Sequence, residues 1–189
     1  MSRAGVPPAV KAASRRLTWL PLALAALVLA LAQIAPRVSP LFEHPIVAFR
    51  LLRNPAASHL AVPVDGVTTA SLTDSWGSPR PGGRAHQGID IFAPRNTAIR
   101  STTPGIVVTV GRNDLGGRIV RIFGPAGEWH YYAHLERFAE IHPGQLVAPG
   151  QILGYVGDSG NAQGTPTHLH YGIYRWRGGA MDPYPRLHP

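Results

Sequence analysis

No cysteine occurs among the 189 residues. Disulfides, cysteine zinc sites and thiol catalysis are therefore excluded. Export is not, because an oxidising compartment permits disulfides without requiring them. Lysine is almost missing: Lys11 stands alone, and arginine carries the rest of a net charge of +8. The basic balance suits anionic lipid or an acidic polymer as well as nucleic acid. No dense Lys/Arg block and no nucleic-acid-binding motif is present, so no nucleic-acid partner is expected. Heptads are absent, which excludes a coiled coil, and beyond residue 64 no span of ten to fifteen residues has helical period, which disfavours a βαβ layout. The HExxH glutamate motif of many zinc sites is also lacking.

What is present divides the chain into four parts. Residues 1–16 are basic, with Arg3, Lys11, Arg15 and Arg16. Residues 17–35 read LTWLPLALAALVLALAQIA without a charge. That run just reaches the roughly 20 apolar residues a membrane-spanning helix needs. The basic flank keeps the N-terminus in the cytoplasm and sends the remainder outside. Ala30-Leu31-Ala32 also offers a small-x-small cleavage site, so the run reads as a transmembrane anchor or a signal peptide. Residues 36–62 form a connector, in which 46–53 predict a short helix ended by Pro55. Residues 63–189 form the folded domain, of a size for a single core.

Within that domain, 21 glycines and 19 prolines in the whole chain suit a turn-rich β protein. Apolar runs alternate with turn signals at intervals of about ten residues, the pattern of an all-β antiparallel sheet or sandwich. Strands are expected over 89–93, 105–111, 118–123, 129–134, 152–157 and 168–174.

Nine histidines are many for this length. His44, His59, His142 and His188 lie in Pro-rich or terminal segments without a partner at metal-ligand spacing. The other five are placed differently. His86 precedes Asp90 by four residues. Fully extended, that distance is about 13 Å, too far for two ligands bonded to one ion at about 2 Å. Sharing an ion requires a bend, most easily at Gly88. His168 and His170 flank Leu169, and on a strand both imidazoles face one way. His130 and His134 have helical HxxxH spacing, but aromatics and Gly-rich flanks favour a strand, in which His130, Tyr132 and His134 share one face.

These residues lie within a longer series. Asp74-Ser75-Trp76-Gly77-Ser78-Pro79-Arg80, His86-Gln87-Gly88-Ile89-Asp90-Ile91, Pro104-Gly105-Ile106-Val107, Tyr132-Ala133-His134-Leu135, the turn from Gly144 to Gln151, Gly157-Asp158-Ser159-Gly160-Asn161 and His168-Leu169-His170-Tyr171 follow in order over about 63–185. The series resembles the lysostaphin/LytM-type zinc endopeptidases of bacterial cell walls. That resemblance implies a catalytic domain of the same type with a substrate groove. It implies one Zn2+ per chain held by His86, Asp90 and His170, with His134 and His168 beside the metal as catalytic groups. The substrate implied is the peptide stem or cross-link of peptidoglycan. With the 17–35 run, the expected location is the bacterial inner membrane, single-pass with the domain in the periplasm, or export after signal cleavage. His130, Tyr132 and Tyr174, with Trp176, are candidates for the groove. The chain departs from the family at Asn96, where glycine is usual, at Thr167, where proline is common, and at His130, where a small hydroxyl residue is frequent.

Two nearby readings differ in class. A catalytically silent wall-binding or hydrolase-regulating module of the same fold usually lacks ligands and carries coiled coils; here the ligand positions are filled and heptads are absent. The 144–151 turn also resembles a biotinyl or lipoyl carrier, but a carrier needs a lysine, and none follows Lys11.

Overall fold

A computed structural model describes residues 40–175 and 179–189. The expected strands form, with five short ones added. In chain order they are β1 (Pro79–Arg80), β2 (Arg84–Ala85), β3 (Ile89–Phe92), β4 (Ala98–Arg100), β5 (Gly105–Asn113), β6 (Gly117–Phe123), β7 (Glu128–Phe138), β8 (Leu146–Val147), β9 (Ile152–Val156), β10 (His168–Arg175) and β11 (Gly179–Met181). Helix α1 (Pro45–Arg53) precedes the strands and helix α2 (Tyr184–Leu187) follows them. The added strands have two or three residues, too few for a period-2 pattern to be read from sequence.

Among the described residues nine strands join in one antiparallel sheet in the order β11-β10-β7-β6-β5-β8, with β3 on β10 and with β9 joining β4 to β7. β1 and β2 make a separate two-stranded ribbon. Alternation along the strands sorts the two faces. Ile89 and Ile91 of β3, Leu169, Tyr171 and Ile173 of β10, and Val120 and Ile122 of β6 point into the main core. Leu187 of α2 closes the same cluster.

A smaller cluster lies on the opposite face, where α1 packs Leu51, Val47 and Ala48 against Ile106, Val108, Phe123 and Trp129. The sequence-predicted helix over 46–53 is thus present. Pro45 occupies its first turn, where its missing N–H costs nothing. Asn54 is extended, as suits the residue before Pro55.

β7 is the strand that organises the site. Its first half pairs with β10, from Glu128 to Ala133, and its second half with β9, from Leu135 to Phe138. His134 stands at the change of partner with φ 65°. Across the other edge Arg118 pairs with Leu135 but Val120 with Tyr132, so β7 carries one extra residue there. Such a bulge bends the strand and re-aims a side chain. Asn96 likewise has φ 69°, a left-handed conformation that asparagine tolerates better than most non-glycine residues. Among the described residues no helix is long and apolar enough to cross a membrane. The anchor or signal segment 17–35 and Trp176 lie outside the described residues.

Candidate metal centre

β3 and β10 pair antiparallel with His170 opposite Asp90. Because Ile89, Ile91, Leu169 and Tyr171 go to the core, Asp90, His168 and His170 emerge together on the other face. His86 approaches from the β2–β3 connection. Gly88 makes this approach feasible, though not by a left-handed bend, since its φ lies outside that region. A Cβ at Gly88 would stand 2.5 Å from the Tyr171 carbonyl oxygen and 2.8 Å from Cε1 of His170. The requirement is absence of volume, not freedom of φ.

The three donors converge closely. His86 Nε2 lies 2.8 Å from His170 Nδ1 and 3.1 Å from Asp90 Oδ1, and His170 Nδ1 lies 3.2 Å from that same oxygen. Four ligands bonded tetrahedrally at 2.0–2.1 Å stand about 3.3 Å apart, so the set matches what one small ion requires. Of the described residues, His86, Asp90 and His170 make up the group able to hold a metal ion. Two imidazoles and one carboxylate are donors that zinc takes in catalytic sites.

Backbone carbonyls orient the rings. His86 Nδ1 donates to the Ser75 oxygen at 2.7 Å, leaving Nε2 unprotonated for the site. His134 Nδ1 donates to the Ser159 oxygen at 2.8 Å, and His168 Nδ1 to the Pro166 oxygen at 2.8 Å. Their Nε2 atoms are therefore acceptors, and that of His168 lies 3.9 Å from Asp90 Oδ1. The ring centroids of His134 lie 4.9 Å from His168 and 5.9 Å from His170.

Charge is arranged to keep the donors ready. Burial opposes ionisation of Asp90, but the close approach of His170, His86 and Arg80 to its oxygens outweighs it and holds the carboxyl well below the usual carboxylate range. Burial pushes His170 down, against the pull of Asp90. Burial also lowers His134 to about 4, helped by the neighbouring His168 and His170.

Several of these contacts were not foreseen from the sequence. Arg80 ion-pairs with Asp90 Oδ2, the oxygen turned away from the imidazoles. The Ser75 hydroxyl accepts from the Asp90 N–H at 3.1 Å. Both residues lie inside the first motif of the series, which signals a role without specifying one. Beside Asp90 a cavity of about 490 Å³ opens between 65–73 and the end of β3 at Phe92 with Pro94 just beyond it.

The expected groove aromatics need correction. His130 and Tyr132 are 1% and 0% exposed and cannot line a groove. They lie in the core, where the Thr102 hydroxyl contacts Tyr132, Tyr171 and His130, and His130 Nδ1 meets the Tyr171 hydroxyl at 2.7 Å. Nor does His134 share their face. The extra residue on β7 turns it over, onto the side of Tyr131. Tyr131 is the aromatic the site does present: its ring is edge-on to His170 at 6.0 Å and to Tyr174 at 6.1 Å. Tyr174 lies on that side too, its hydroxyl donating to the Gln87 carbonyl at 3.2 Å.

Comparison with known proteins matches the same part of the chain. Residues 84–183 match the model of peptidase family M23. An L-Ala–D-Glu endopeptidase of Bacillus subtilis (strain 168) is 42% identical over 138 residues, covering 67% of this chain and 42% of the relative. A DD-carboxypeptidase/endopeptidase of Neisseria meningitidis is 36% identical over 88 residues, 47% of this chain and 20% of the relative. The chain thus spans less than half the length of these curated relatives. Among solved structures, a putative glycyl-glycine endopeptidase of Ruminococcus gnavus superposes with a TM-score of 0.58 at 35% identity, covering 74% of this chain and 62% of that one. The catalytic domain of lysostaphin from Staphylococcus simulans gives 0.57 at 26% identity, covering 64% of this chain and 96% of that domain. The mostly antiparallel sheet is thus of the lysostaphin type.

Proposed function

The chain belongs to peptidase family M23, and on that premise we propose that it is a zinc-dependent endopeptidase hydrolysing peptide stems or cross-links of bacterial peptidoglycan. The observation that carries this reading is the meeting of His86 Nε2, Asp90 Oδ1 and His170 Nδ1 within 3.2 Å of one another, beside the free Nε2 atoms of His134 and His168. Relatives named as endopeptidases, one of them a peptidoglycan DD-endopeptidase of Vibrio cholerae, support a peptide bond of the cell wall as the target.

His86, Asp90 and His170 would hold the ion. Zinc in such a site supplies a Lewis acid that polarises a carbonyl and acidifies water. His134, neutral at pH 7 because burial lowers it to about 4, offers Nε2 as an acceptor. In this proposal one of His134 and His168 takes the proton of the attacking water at its free Nε2, and the other, carrying a proton on Nε2, steadies the tetrahedral oxyanion as an N–H donor. Arg80 keeps Asp90 ionised and turned, so that one carboxylate oxygen faces the imidazoles. Tyr131 and Tyr174 form apolar floor beyond His170, and the outer edge of β3 gives an extended peptide a backbone to lie along. The apolar run 17–35 would place this activity on the periplasmic side of the inner membrane, as an anchor or, if cleaved, as an export signal.

Purified peptidoglycan digested with the zinc-loaded chain, before and after chelation, tests the reading by mass spectrometry of the released muropeptides. Shortened stems or opened cross-links that vanish with chelator and return with zinc are expected. Unchanged muropeptides from zinc-loaded protein would favour the catalytically silent wall-binding module instead.

A further inference from the structure

α1 has one face on the sheet and one in water. Val47, Ala48 and Leu51 pack inward. At 100° per residue the opposite side is formed by Ile46, Phe49, Arg50 and Arg53. Ile46 is 67% exposed and Phe49 61%. Just ahead of the helix Phe42 is 73% exposed. Three large apolar side chains facing water within eight residues are not the isolated exposures normal on a soluble surface. Arg53 lies over the Phe49 ring at 5.9 Å, so cation and aromatic occupy the same outward face. The nearby acid Glu43 lies against Gly144.

The position of this face in the chain identifies its partner. The uncharged run ends at residue 35, seven residues before Phe42. A chain leaving a bilayer at that point has at most about 25 Å of extended backbone before Phe42, which keeps α1 within reach of the headgroups. A helix with apolar side chains flanked by arginine, facing outward, is the composition of one that lies in the interfacial plane of an anionic membrane. We propose that α1 rests on the bilayer surface, with Phe42, Ile46 and Phe49 in the headgroup–acyl boundary and Arg50 and Arg53 on anionic headgroups. This rests on the reading of 17–35 as a retained anchor. The consequence is orientation: because α1 is packed on the sheet by Leu51, the domain is held against the membrane by a rigid element and does not swing on a tether.

The lack of cysteine makes the test direct. The full chain is prepared with a single environment-sensitive fluorophore on Ile46→Cys, Phe49→Cys, Ala26→Cys or Gln163→Cys, the last an exposed loop position. Each is reconstituted in phosphatidylethanolamine–phosphatidylglycerol vesicles bearing quenchers on the upper acyl carbons. Loss of fluorescence at 46 and 49, with none at 163, is the expected result, and Arg50→Gln with Arg53→Gln should reduce it. Labels at 46 and 49 that behave like 163 would overturn the proposal. The label at 26 reports the anchor separately: quenching there without quenching at 46 and 49 leaves the anchor standing and removes the interfacial helix. Quenching at 46 and 49 without 26 does the reverse. Fluorescence changes at 46 and 49 that depend on protein concentration and not on lipid would assign the face to a second copy and also overturn the proposal.

Discussion

Alanine at position 88 tests the assembly of the metal centre without touching a ligand. The new Cβ would lie 2.5 Å from the Tyr171 carbonyl oxygen, about 0.9 Å inside the ordinary 3.4 Å contact, and within 2.9 Å of both Cε1 and Nε2 of His170. The Tyr171 oxygen is backbone of a strand paired on both edges, by β3 and β7, so it cannot retreat. The connection carrying His86 must therefore lift away, or the His170 ring must turn. Overpacking of this kind costs about 1–3 kcal/mol, which for a domain of this size lowers Tm by roughly 2–4 °C per kcal/mol. Displacement of groups that set a ligand's orientation typically weakens metal binding about 10- to 100-fold. Calorimetric unfolding and a zinc competition titration on Gly88→Ala measure both. Gly111→Ala serves as control, since a Cβ there meets only Thr109 Cγ2 at 3.8 Å. A Gly88→Ala protein with the control's Tm and zinc affinity would refute the steric reasoning.

Other expectations follow from the same geometry. Asp90→Ala should lose zinc, read by metal analysis, whereas His134→Ala should keep it and lose about 100- to 10,000-fold in muropeptide release; stoichiometric zinc in the first or its loss in the second would contradict the proposed roles. Tyr132→Ala should destabilise the fold by about 3–5 kcal/mol, as for a large buried aromatic, while Tyr131→Ala should raise KM with little change in Tm; the reverse would return Tyr132 to the groove. His130 is lowered from 6.5 to about 3, by burial first and then by Arg186. The unfolded chain therefore binds the extra proton between those values, and stability present above pH 6.5 falls as pH drops toward 3, by about 1.4 kcal/mol per unit within the window. Denaturant titrations of the chelated protein from pH 7 to 4.5 should show a shallower slope in His130→Phe than in the parent, and an equal slope would exclude His130 as a source.

Strand positions, the paired outward aim of His168 and His170, and the helix ahead of Pro55 were legible in the sequence because each depends on local periodicity or on one residue's fixed backbone geometry. The resemblance carried by the ordered motifs supplied the ligand set, and the distances among His86, Asp90 and His170 are those one ion needs. His134 was assigned to the site but to the wrong side of its strand. Period-2 alternation groups it with His130 and Tyr132, and only the partner strands reveal that β7 gains a residue there and turns over. Tyr131 was overlooked for the same reason.

Composition alone determined that no thiol chemistry, disulfide or lysine-borne cofactor belongs to the folded domain, since a missing side chain is missing in every conformation. Alternation decided which residues of a straight strand travel together. Tertiary structure alone decided which oxygen of Asp90 Arg80 takes, which carbonyl fixes the rings of His86, His134 and His168, and that His134 faces His168 and His170 while His130 is buried. Except for the Pro166 carbonyl beside His168, those contacts join residues 10, 11 and 25 apart in the chain, and no local pattern encodes where a sheet changes partner.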